Sequence, residues 1–170
     1  IPAEPLFRSS IFSALYYLIN QSNGVVNLTH EYKFYYYDVD YVNGIPVDEA
    51  VTINGNGFEV NGMNESWVFV VSADNVSLTN INIYDSLNAI EWLGNNGVIS
   101  NVSVNNSYSA LNGFGSNLVV RNSNFTRANR YSIYLEGSNQ VVDNCSFVDN
   151  SGPSIIGHCR NNLRIENSIF

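Results

Sequence analysis

An asparagine that recurs roughly every 22 residues constrains the fold of this chain more than any other feature. Around it, an aliphatic residue stands two positions before, a second asparagine five before, and apolar residues three after and eleven before. These positions keep their chemistry through five repeats, which predicts a stack of similar structural units. The repeated asparagines are Asn80, Asn101, Asn122, Asn144 and Asn167, the second set is Asn75, Asn96, Asn117, Asn139 and Asn162, and the residues eleven before are Phe69, Ile90, Leu111, Ile133 and Ile156.

Each unit carries the two-residue alternation of short strands, as in residues 76–78 (VSL) and 81–83 (INI). A unit of this length cannot bury its own apolar face, whereas stacked units place each apolar column on itself at about 4.8 Å per turn. A leucine-rich repeat has a similar period, but it would need several leucines and a helical return in every unit, and both are missing. The pattern therefore predicts an all-β fold, a parallel β-helix that forms a single domain over residues 1–170.

Asparagine suits these columns for a physical reason. A turn between two strands of a coil often needs a left-handed residue, and asparagine tolerates that conformation best among residues other than glycine. Its side-chain amide can also donate to the asparagine of the next coil and form a ladder along the stack. A column of Gly94, Gly115 and Gly137 is predicted to form a companion turn.

The chain before the regular repeats divides into a helix and a set of irregular coils. Residues 8–20 carry the only helical stripe, with Ser9 or Ser10 able to cap its start, and we expect the helix to cover the end of the solenoid. Residues 23–63 are predicted to form irregular first coils, and residues 64–170 regular ones. The apolar stripe of the helix is Ile11, Leu15, Leu18 and Ile19, and the apolar columns of the irregular coils are assigned to Ile53 and Phe58.

The C-terminal end of the pattern has no equivalent cap. Phe170 finishes a core strand in mid-pattern. Because an open strand edge is prone to pair with other chains, we expect either further coils beyond this point or contact with a neighbouring subunit.

Composition and charge exclude several classes of protein. The chain has 15 acidic and 7 basic residues and a net charge of −8, which disfavours nucleic-acid binding. Its 45% of hydrophobic residues excludes a disordered chain. No apolar run approaches the roughly 18 residues of a membrane span, so no span is predicted in this chain.

Three segments resemble a known group of proteins: FSALYYLINQSNGVVNLTHEYKF, GIPVDEAVTINGNGFEVNGMN and NVSLTNINIYDS. Over about residues 8–170 the chain resembles the adhesin-like surface proteins of methanogenic archaea. The resemblance implies the right-handed parallel β-helix of the pectate-lyase-like superfamily, an extracellular or cell-surface location, and a non-enzymatic role in adhesion or envelope assembly. It implies a cell-surface glycan or protein as partner, or neighbouring copies of the chain joined through the uncapped C-terminal coil.

A tyrosine-rich segment, residues 31–44, departs from that group and holds five of the eleven tyrosines. Exposed tyrosines beside aspartates would suit sugar stacking or a protein interface. The alternative is a hairpin-like excursion that packs its aromatic rings against the solenoid. The candidate recognition residues are Tyr32, Tyr35, Tyr36, Tyr37, Asp38, Asp40 and Tyr41.

The repeat columns show no catalytic cluster. Hydrolases need two nearby carboxylates, and lyases need a basic residue that usually accompanies acidic calcium ligands. Glu91 is followed in its column by Asn112, Tyr134 and Gly157, and the stacked Arg121, Asp143 and Glu166 resemble a solvated charge ladder. We predict no catalytic residue, and a polysaccharide lyase or hydrolase, or its inactive remnant, is the alternative.

No cofactor is predicted either. His30 and His158 lack metal-ligand spacing, and His158 is expected to be partly buried near the open end. The acidic residues of 38–49 could gather Ca²⁺, but no calcium-binding repeat is present.

Two further features concern surface chemistry. Cys145 falls in a core column and Cys159 on another face, so two free thiols are predicted. Eight Asn-x-Ser/Thr sequons occur, and those in the asparagine columns should be poor glycan acceptors. The remaining possible N-glycosylation sites are Asn20, Asn27, Asn64, Asn105 and Asn124.

Overall fold

The computed structural model describes residues 10–170 and contains seventeen strands in this part of the chain. One α-helix, α1 (Phe12–Asn20), precedes them, and a short 3-10 helix spans Val39–Tyr41. The strands are β1 (Val25–Asn27), β2 (Tyr32–Lys33), β3 (Asn43–Val47), β4 (Thr52–Asn54), β5 (Glu59–Asn61), β6 (Trp67–Val71), β7 (Ser77–Thr79), β8 (Asn82–Trp92), β9 (Val98–Ser100), β10 (Ser103–Gly113), β11 (Val119–Arg121), β12 (Asn124–Thr126), β13 (Tyr131–Leu135), β14 (Gln140–Asp143), β15 (Ser146–Val148), β16 (Ile155–Gly157) and β17 (Leu163–Glu166).

The strands stack into a parallel solenoid with three faces. The first face is the sheet β1-β4-β7-β9-β11-β14-β17. The second face contains β2, β5, β12 and β15, and the third contains β3, β6, β13 and β16. The long strands β8 and β10 run through both of these faces and bend between them. The strand pairs of the described chain are parallel, as predicted for a β-helix.

Both predicted asparagine columns have the predicted conformation. All ten residues have positive φ values between 49° and 60°. Side-chain amides link neighbouring coils, as in Asn101 Nδ2 to Asn80 Oδ1 at 2.6 Å and Asn117 Nδ2 to Asn96 Oδ1 at 2.8 Å. A third left-handed column, at the bend between the second and third faces, was not predicted. Its residues are Asp85, Asn106, Arg127 and Asp149, and their mixed chemistry hides the repeat.

The glycine column has a different cause from the one predicted. Gly94, Gly115 and Gly137 do not have positive φ. A Cβ atom on Gly115 would instead lie 1.8 Å from the carbonyl oxygen of Gly94, and one on Gly137 would lie 2.0 Å from that of Gly115. Glycine is required here because successive turns pack backbone against backbone.

Apolar side chains fill the interior along the predicted columns, with two shifts of register. Val60, not Phe58, pairs with Ile83 in the second face, because the turn after β4 is longer than in later coils. Ile155, not Ile156, pairs with Ile133 in the third face. Cys145 is buried, Cys159 is half-buried, and both are free thiols, as predicted.

Helix α1 closes the N-terminal end, but its details differ from the prediction. Phe12, Leu15 and Ile19 are buried, whereas Leu18 is exposed. The N-cap residue is Ile11, whose side chain cannot cap, so Ser10 does not occupy the N-cap position. Ser9 and the predicted start at residue 8 lie outside the described residues.

A carboxylate from the tyrosine-rich segment caps the helix instead. Asp38 is only 1% exposed. Its Oδ2 accepts the backbone N–H of Phe12 at 3.2 Å, and its Oδ1 accepts that of Ser13 at 3.0 Å. It also accepts the N–H of Tyr35 at 3.2 Å. The cap thus comes from a distant part of the chain, where local sequence rules for helix capping give no signal.

The predicted charge ladder lies on the first face, where Arg121, Asp143 and Glu166 are register partners. Arg164 pairs with Glu166 at 2.8 Å. None of the helices in residues 10–170 is long and apolar enough to cross a membrane.

Candidate functional site

The structure divides the predicted tyrosine-rich surface into exposed and buried parts. Tyr36 and Tyr37 are each 66% exposed, and their ring centroids lie 3.9 Å apart. Asp40 is also exposed, and Tyr41 is half-buried with its ring 5.2 Å from that of Tyr16 on α1.

Besides the half-buried Tyr41, three members of the predicted set do not belong to an exposed patch. Tyr32 is buried in β2, and burial raises the pKa of its phenol. Asp38 is buried as the cap of α1, and Tyr35 is half-buried. The segment therefore packs some side chains inward and leaves Tyr36, Tyr37 and Asp40 exposed, and a recognition role for these residues stays a prediction.

A second surface, on the third face, was not predicted. It is a groove of about 960 Å³ that crosses β6, β8, β10, β13 and β16, and we call it the aromatic groove. Its lining combines aromatic rings with a few polar side chains, the usual composition of a small-molecule or sugar site. The lining residues are Trp67, Leu87, Asn88, Glu91, Tyr108, Ser109, Asn112, Phe114, Arg130, Tyr131, Tyr134, Ile156 and His158.

A hydrogen-bonded network fixes the polar part of the groove. Glu91 Oε2 accepts the side-chain amides of Asn88 at 2.9 Å and Asn112 at 3.1 Å. The Oδ1 of Asn112 in turn accepts the hydroxyl of Tyr131 at 2.7 Å. Because register stacks Glu91 directly on Asn112, the parallel sheet itself brings the carboxylate and its donors together.

Aromatic rings surround this network. Trp67, Asn88, Ser109 and Tyr131 occupy one column, so Trp67 and Tyr131 stand three coils apart, about 14 Å along the axis. The two residues between them are buried and small, which leaves a trough with a ring at each end. Tyr108, 52% exposed, lines the trough from the neighbouring column.

Tyr134 is the centre of the aromatic cluster at the far end of the groove. Its ring centroid lies 5.6 to 5.9 Å from those of Phe114, Tyr131 and His158. Desolvation and the neighbouring Glu136 carboxylate raise the pKa of the Tyr134 phenol above its ordinary value. His158 is exposed, so the prediction of a partly buried histidine is wrong: Gly157, not His158, is the register partner of Leu135.

The charged groups of the groove are few and separated. Arg130 lies with its guanidinium carbon 5.0 Å from the Tyr131 ring centroid, a cation–π contact. Within residues 10–170 neither Arg130 nor Glu91 forms an ion pair. Glu91 lies on β8, two strands before Tyr131 on β13, so the two charges belong to different parts of the groove.

The acidic residues considered for Ca²⁺ are not gathered by the fold. Asp38 serves α1, and Asp48 accepts the hydroxyl of Ser72 at 2.6 Å. In the described part of the chain, no three His, Cys, Asp or Glu side chains lie close enough to share a metal ion.

The possible glycosylation sites have different surroundings. Asn20, Asn27, Asn64 and Asn124 are exposed, and Asn105 is half-buried on β10. The side chains of Asn27 and Asn124 already accept hydrogen bonds from the adjacent coil, at 3.0 and 2.6 Å. Glycosylation at these positions stays a prediction, and it is sterically and chemically simplest at Asn20 and Asn64, which are exposed and lie outside the predicted asparagine columns.

The sequence contains a signal for the aromatic groove that a search for paired carboxylates does not use. The period correctly predicts that Glu91 stacks on Asn112 and Tyr134, whereas the next register partner is Ile156 and not the predicted Gly157. A search for paired carboxylates gives no weight to aromatic residues. Trp67 and Tyr131 fall at equivalent positions of their repeats, separated by two coils that carry small residues there. Searching the repeat for outward aromatic residues on one face would have found the groove.

The fold and groove define a three-faced parallel β-solenoid with an aromatic surface groove. Comparison with protein families agrees: the family model described as right handed beta helix region matches residues 43–170. That is three quarters of the chain, so the protein belongs to this family, and the predicted right-handed β-helix is confirmed. A search of curated proteins and a search of solved structures each found no match.

Proposed function

We propose that the protein is a non-enzymatic, extracellular, adhesin-like β-helix that binds a glycan chain in the aromatic groove. The observation that carries this proposal is the fixed Glu91 network set among aromatic rings. The family supports the coarser statement, a right-handed β-helix of the surface or polysaccharide-related kind. The cell-surface location and the role in adhesion or envelope assembly rest on the sequence resemblance.

A glycan suits the chemistry of the groove better than a purely apolar ligand. Sugar rings present apolar C–H faces that stack on flat aromatic side chains, and hydroxyl groups that need fixed donors and acceptors. Trp67 and Tyr108 supply the flat faces, while Glu91 and Asn112 supply polar groups whose positions are already set. Since little ordering is needed on binding, this arrangement lowers the entropic cost of recognition.

The groove also has the shape of a site for a chain. Its aromatic ends, Trp67 and Tyr131, lie about 14 Å apart along the solenoid axis. A ligand that contacts both ends must extend across four strands, as a short oligosaccharide can. We therefore expect affinity to increase with oligosaccharide length until both ends of the groove are occupied.

The test is binding of the purified protein to soluble oligosaccharides of increasing length, with glucose, mannose and N-acetylglucosamine units. Tyr108→Ala should weaken binding about tenfold, because aromatic residues at the centre of an interface contribute most of its affinity. Tyr17→Ala is the matched control, since Tyr17 is a similarly exposed tyrosine on α1 outside the groove. Absence of binding by the wild type, or equal losses in the two variants, would overturn the proposal.

The second candidate function, a polysaccharide lyase or hydrolase, is favoured by one observation. Glu91 is a half-buried carboxylate inside the groove. It is the only carboxylate among the described lining residues, whereas glycoside hydrolases ordinarily use two. Release of reducing or unsaturated sugars by the wild type, lost in Glu91→Gln, would establish an enzyme and displace the adhesin proposal.

A further inference from the structure

The polar floor of the aromatic groove distinguishes between classes of glycan. We infer that the sugar unit at Glu91 carries a free amine, so that the protein prefers amino-sugar glycans over their N-acetylated or unsubstituted counterparts. This inference rests on the proposed function and adds a substrate class to it. Its basis is the balance of donors, acceptors and charge around Glu91.

Glu91 is held in place by donors that carry no charge. Both amides that reach it, from Asn88 and Asn112, bond to Oε2. The other oxygen, Oε1, has no hydrogen-bond partner among the described residues. The carboxylate is therefore oriented by the protein while half of its acceptor capacity stays open.

Acceptors exceed donors at this point of the groove. Asn88 is 4% exposed, and its Oδ1 is buried without a partner in the described part of the chain. Its amide nitrogen donates to Glu91, so this buried oxygen contributes an uncompensated partial negative charge next to the carboxylate's donor, below the surface that a ligand contacts. A ligand group that donates a hydrogen bond to Glu91 Oε1 and carries positive charge would complement this floor, and an ammonium does both.

The charge of Glu91 is also uncompensated. No Lys or Arg among residues 10–170 lies within ion-pair distance of it, and Arg130 instead rests on the Tyr131 ring. The Glu91 carboxylate favours the protonated form of an amine that reaches Oε1, and the ammonium would form a charge-assisted hydrogen bond, roughly twice as strong as a neutral one. A uronic acid at the same position would bring two carboxylates together, which is unfavourable.

Trp67 strengthens the case for a cation at this end. It is the register partner of Asn88 on the neighbouring strand and lines the groove beside the Glu91 network. Tryptophan is the aromatic side chain that attracts cations most strongly through its ring face. The carboxylate and the ring thus favour the same kind of substituent.

The experiment compares two oligosaccharides that differ only in the substituent. Glucosamine oligomers with free amines and the same oligomers fully N-acetylated are titrated into the wild-type protein at one fixed, near-physiological salt concentration. We expect the amine form to bind about tenfold more tightly, the effect of one charge-assisted hydrogen bond. Glu91→Gln should remove this preference, so that the variant binds the two oligomers with equal affinity, because glutamine carries no charge but can still accept from the two asparagine amides.

Glu49→Gln is the control for long-range attraction by the acidic protein. Glu49 is exposed in the turn after β3, outside the groove, and the substitution changes net charge by the same amount. If both variants lose the preference equally, general charge explains it and the inference fails. Equal binding of the two oligomers by the wild type also overturns it but leaves glycan binding standing, whereas no binding of any oligosaccharide overturns the proposed function itself.

Discussion

The first coils and the later coils of this solenoid are held together in different ways. On the first face, Val25 pairs with Thr52 and Thr52 pairs with Ser77, and these two coils are longer than any that follow. The four later coils keep a nearly constant length of roughly 22 residues between register partners. The later coils repeat the same length and the same contacts between coils. The first coils contain insertions, and each insertion makes contacts that no other coil has.

The two regions show what a repeat can and cannot specify. In the later coils the same backbone contact recurs, so one residue type satisfies it every time, as at Gly94, Gly115 and Gly137. In the first coils a single side chain, Asp38, links α1 to the tyrosine-rich segment. Loss of a repeated contact disturbs neighbouring turns, while loss of an individual contact should affect one local element.

The largest effect is expected from an added methyl group in the later coils. Gly115→Ala would place a Cβ 1.8 Å from the carbonyl oxygen of Gly94, against backbone that cannot rotate away. We expect a loss of about 3 kcal/mol in the free energy of unfolding, measured by urea denaturation, since overpacking of this kind forces backbone shifts.

Gly57→Ala is the matched control in the first coils. Its Cβ would meet nothing within 4 Å, although its φ of +80° disfavours alanine. The cost should be about 1 kcal/mol, from conformation alone. A Gly115→Ala protein as stable as Gly57→Ala would contradict the view that backbone contact defines the later coils.

The agreement between sequence and structure depends on whether a repeated position accepts few residue types. Asparagine in the two predicted columns was identified because a left-handed turn has few acceptable residues, so the chemistry repeats visibly. The third column could not be found in this way, since Asp85, Asn106 and Arg127 share a conformation without sharing a side chain. The Asp38 cap was also missed, because it joins segments that only the folded chain brings together.

The aromatic groove was predictable from the sequence in part. The stacking of Glu91, Asn112 and Tyr134 was predictable from the period, and the structure confirms it. What the period could not give is the hydrogen bonding, in particular that both asparagine amides reach the same carboxylate oxygen. Side-chain conformation decides which carboxylate oxygen the amides reach, and the repeat pattern of the sequence does not specify side-chain conformation.

A smaller and more local effect is expected in the first coils. Asp38→Ala removes the acceptor for the backbone N–H groups of Phe12, Ser13 and Tyr35. Loss of a buried cap of this kind should cost about 2 kcal/mol. Hydrogen exchange should show α1 opening before the solenoid, while amides of the later coils keep their protection.

Asp40→Ala provides the comparison for that experiment. Asp40 belongs to the same segment and is exposed, so its removal should leave the exchange of α1 unchanged. Uniform loss of protection throughout the chain in Asp38→Ala would show that the first coils and the later coils unfold as one unit, and the distinction between the two regions would fail.

The smallest effect is expected at Arg127, where an arginine stands in a left-handed column of the later coils, and the substitution should increase stability. Arg127 has a φ of 54° in the column where Asn106 and Asp149 adopt the same left-handed conformation. Asn106 already donates from its Nδ2 to Asp85 Oδ1 at 2.6 Å, so an asparagine at 127 could extend this ladder by one coil. Arg127→Asn should raise the free energy of unfolding by about 0.5 kcal/mol, because asparagine tolerates the left-handed region better than arginine.

Arg121→Asn is the control for this gain, and urea denaturation of both variants measures it. Arg121 is an exposed arginine on strand β11 with no positive φ, where asparagine is a poorer strand former and should give no increase in stability. Equal stability changes in the two variants would mean that the backbone conformation at 127 does not limit the coil. The left-handed column that contains Arg127 would then accept arginine as readily as asparagine, and the left-handed backbone would not restrict the residue type at this position.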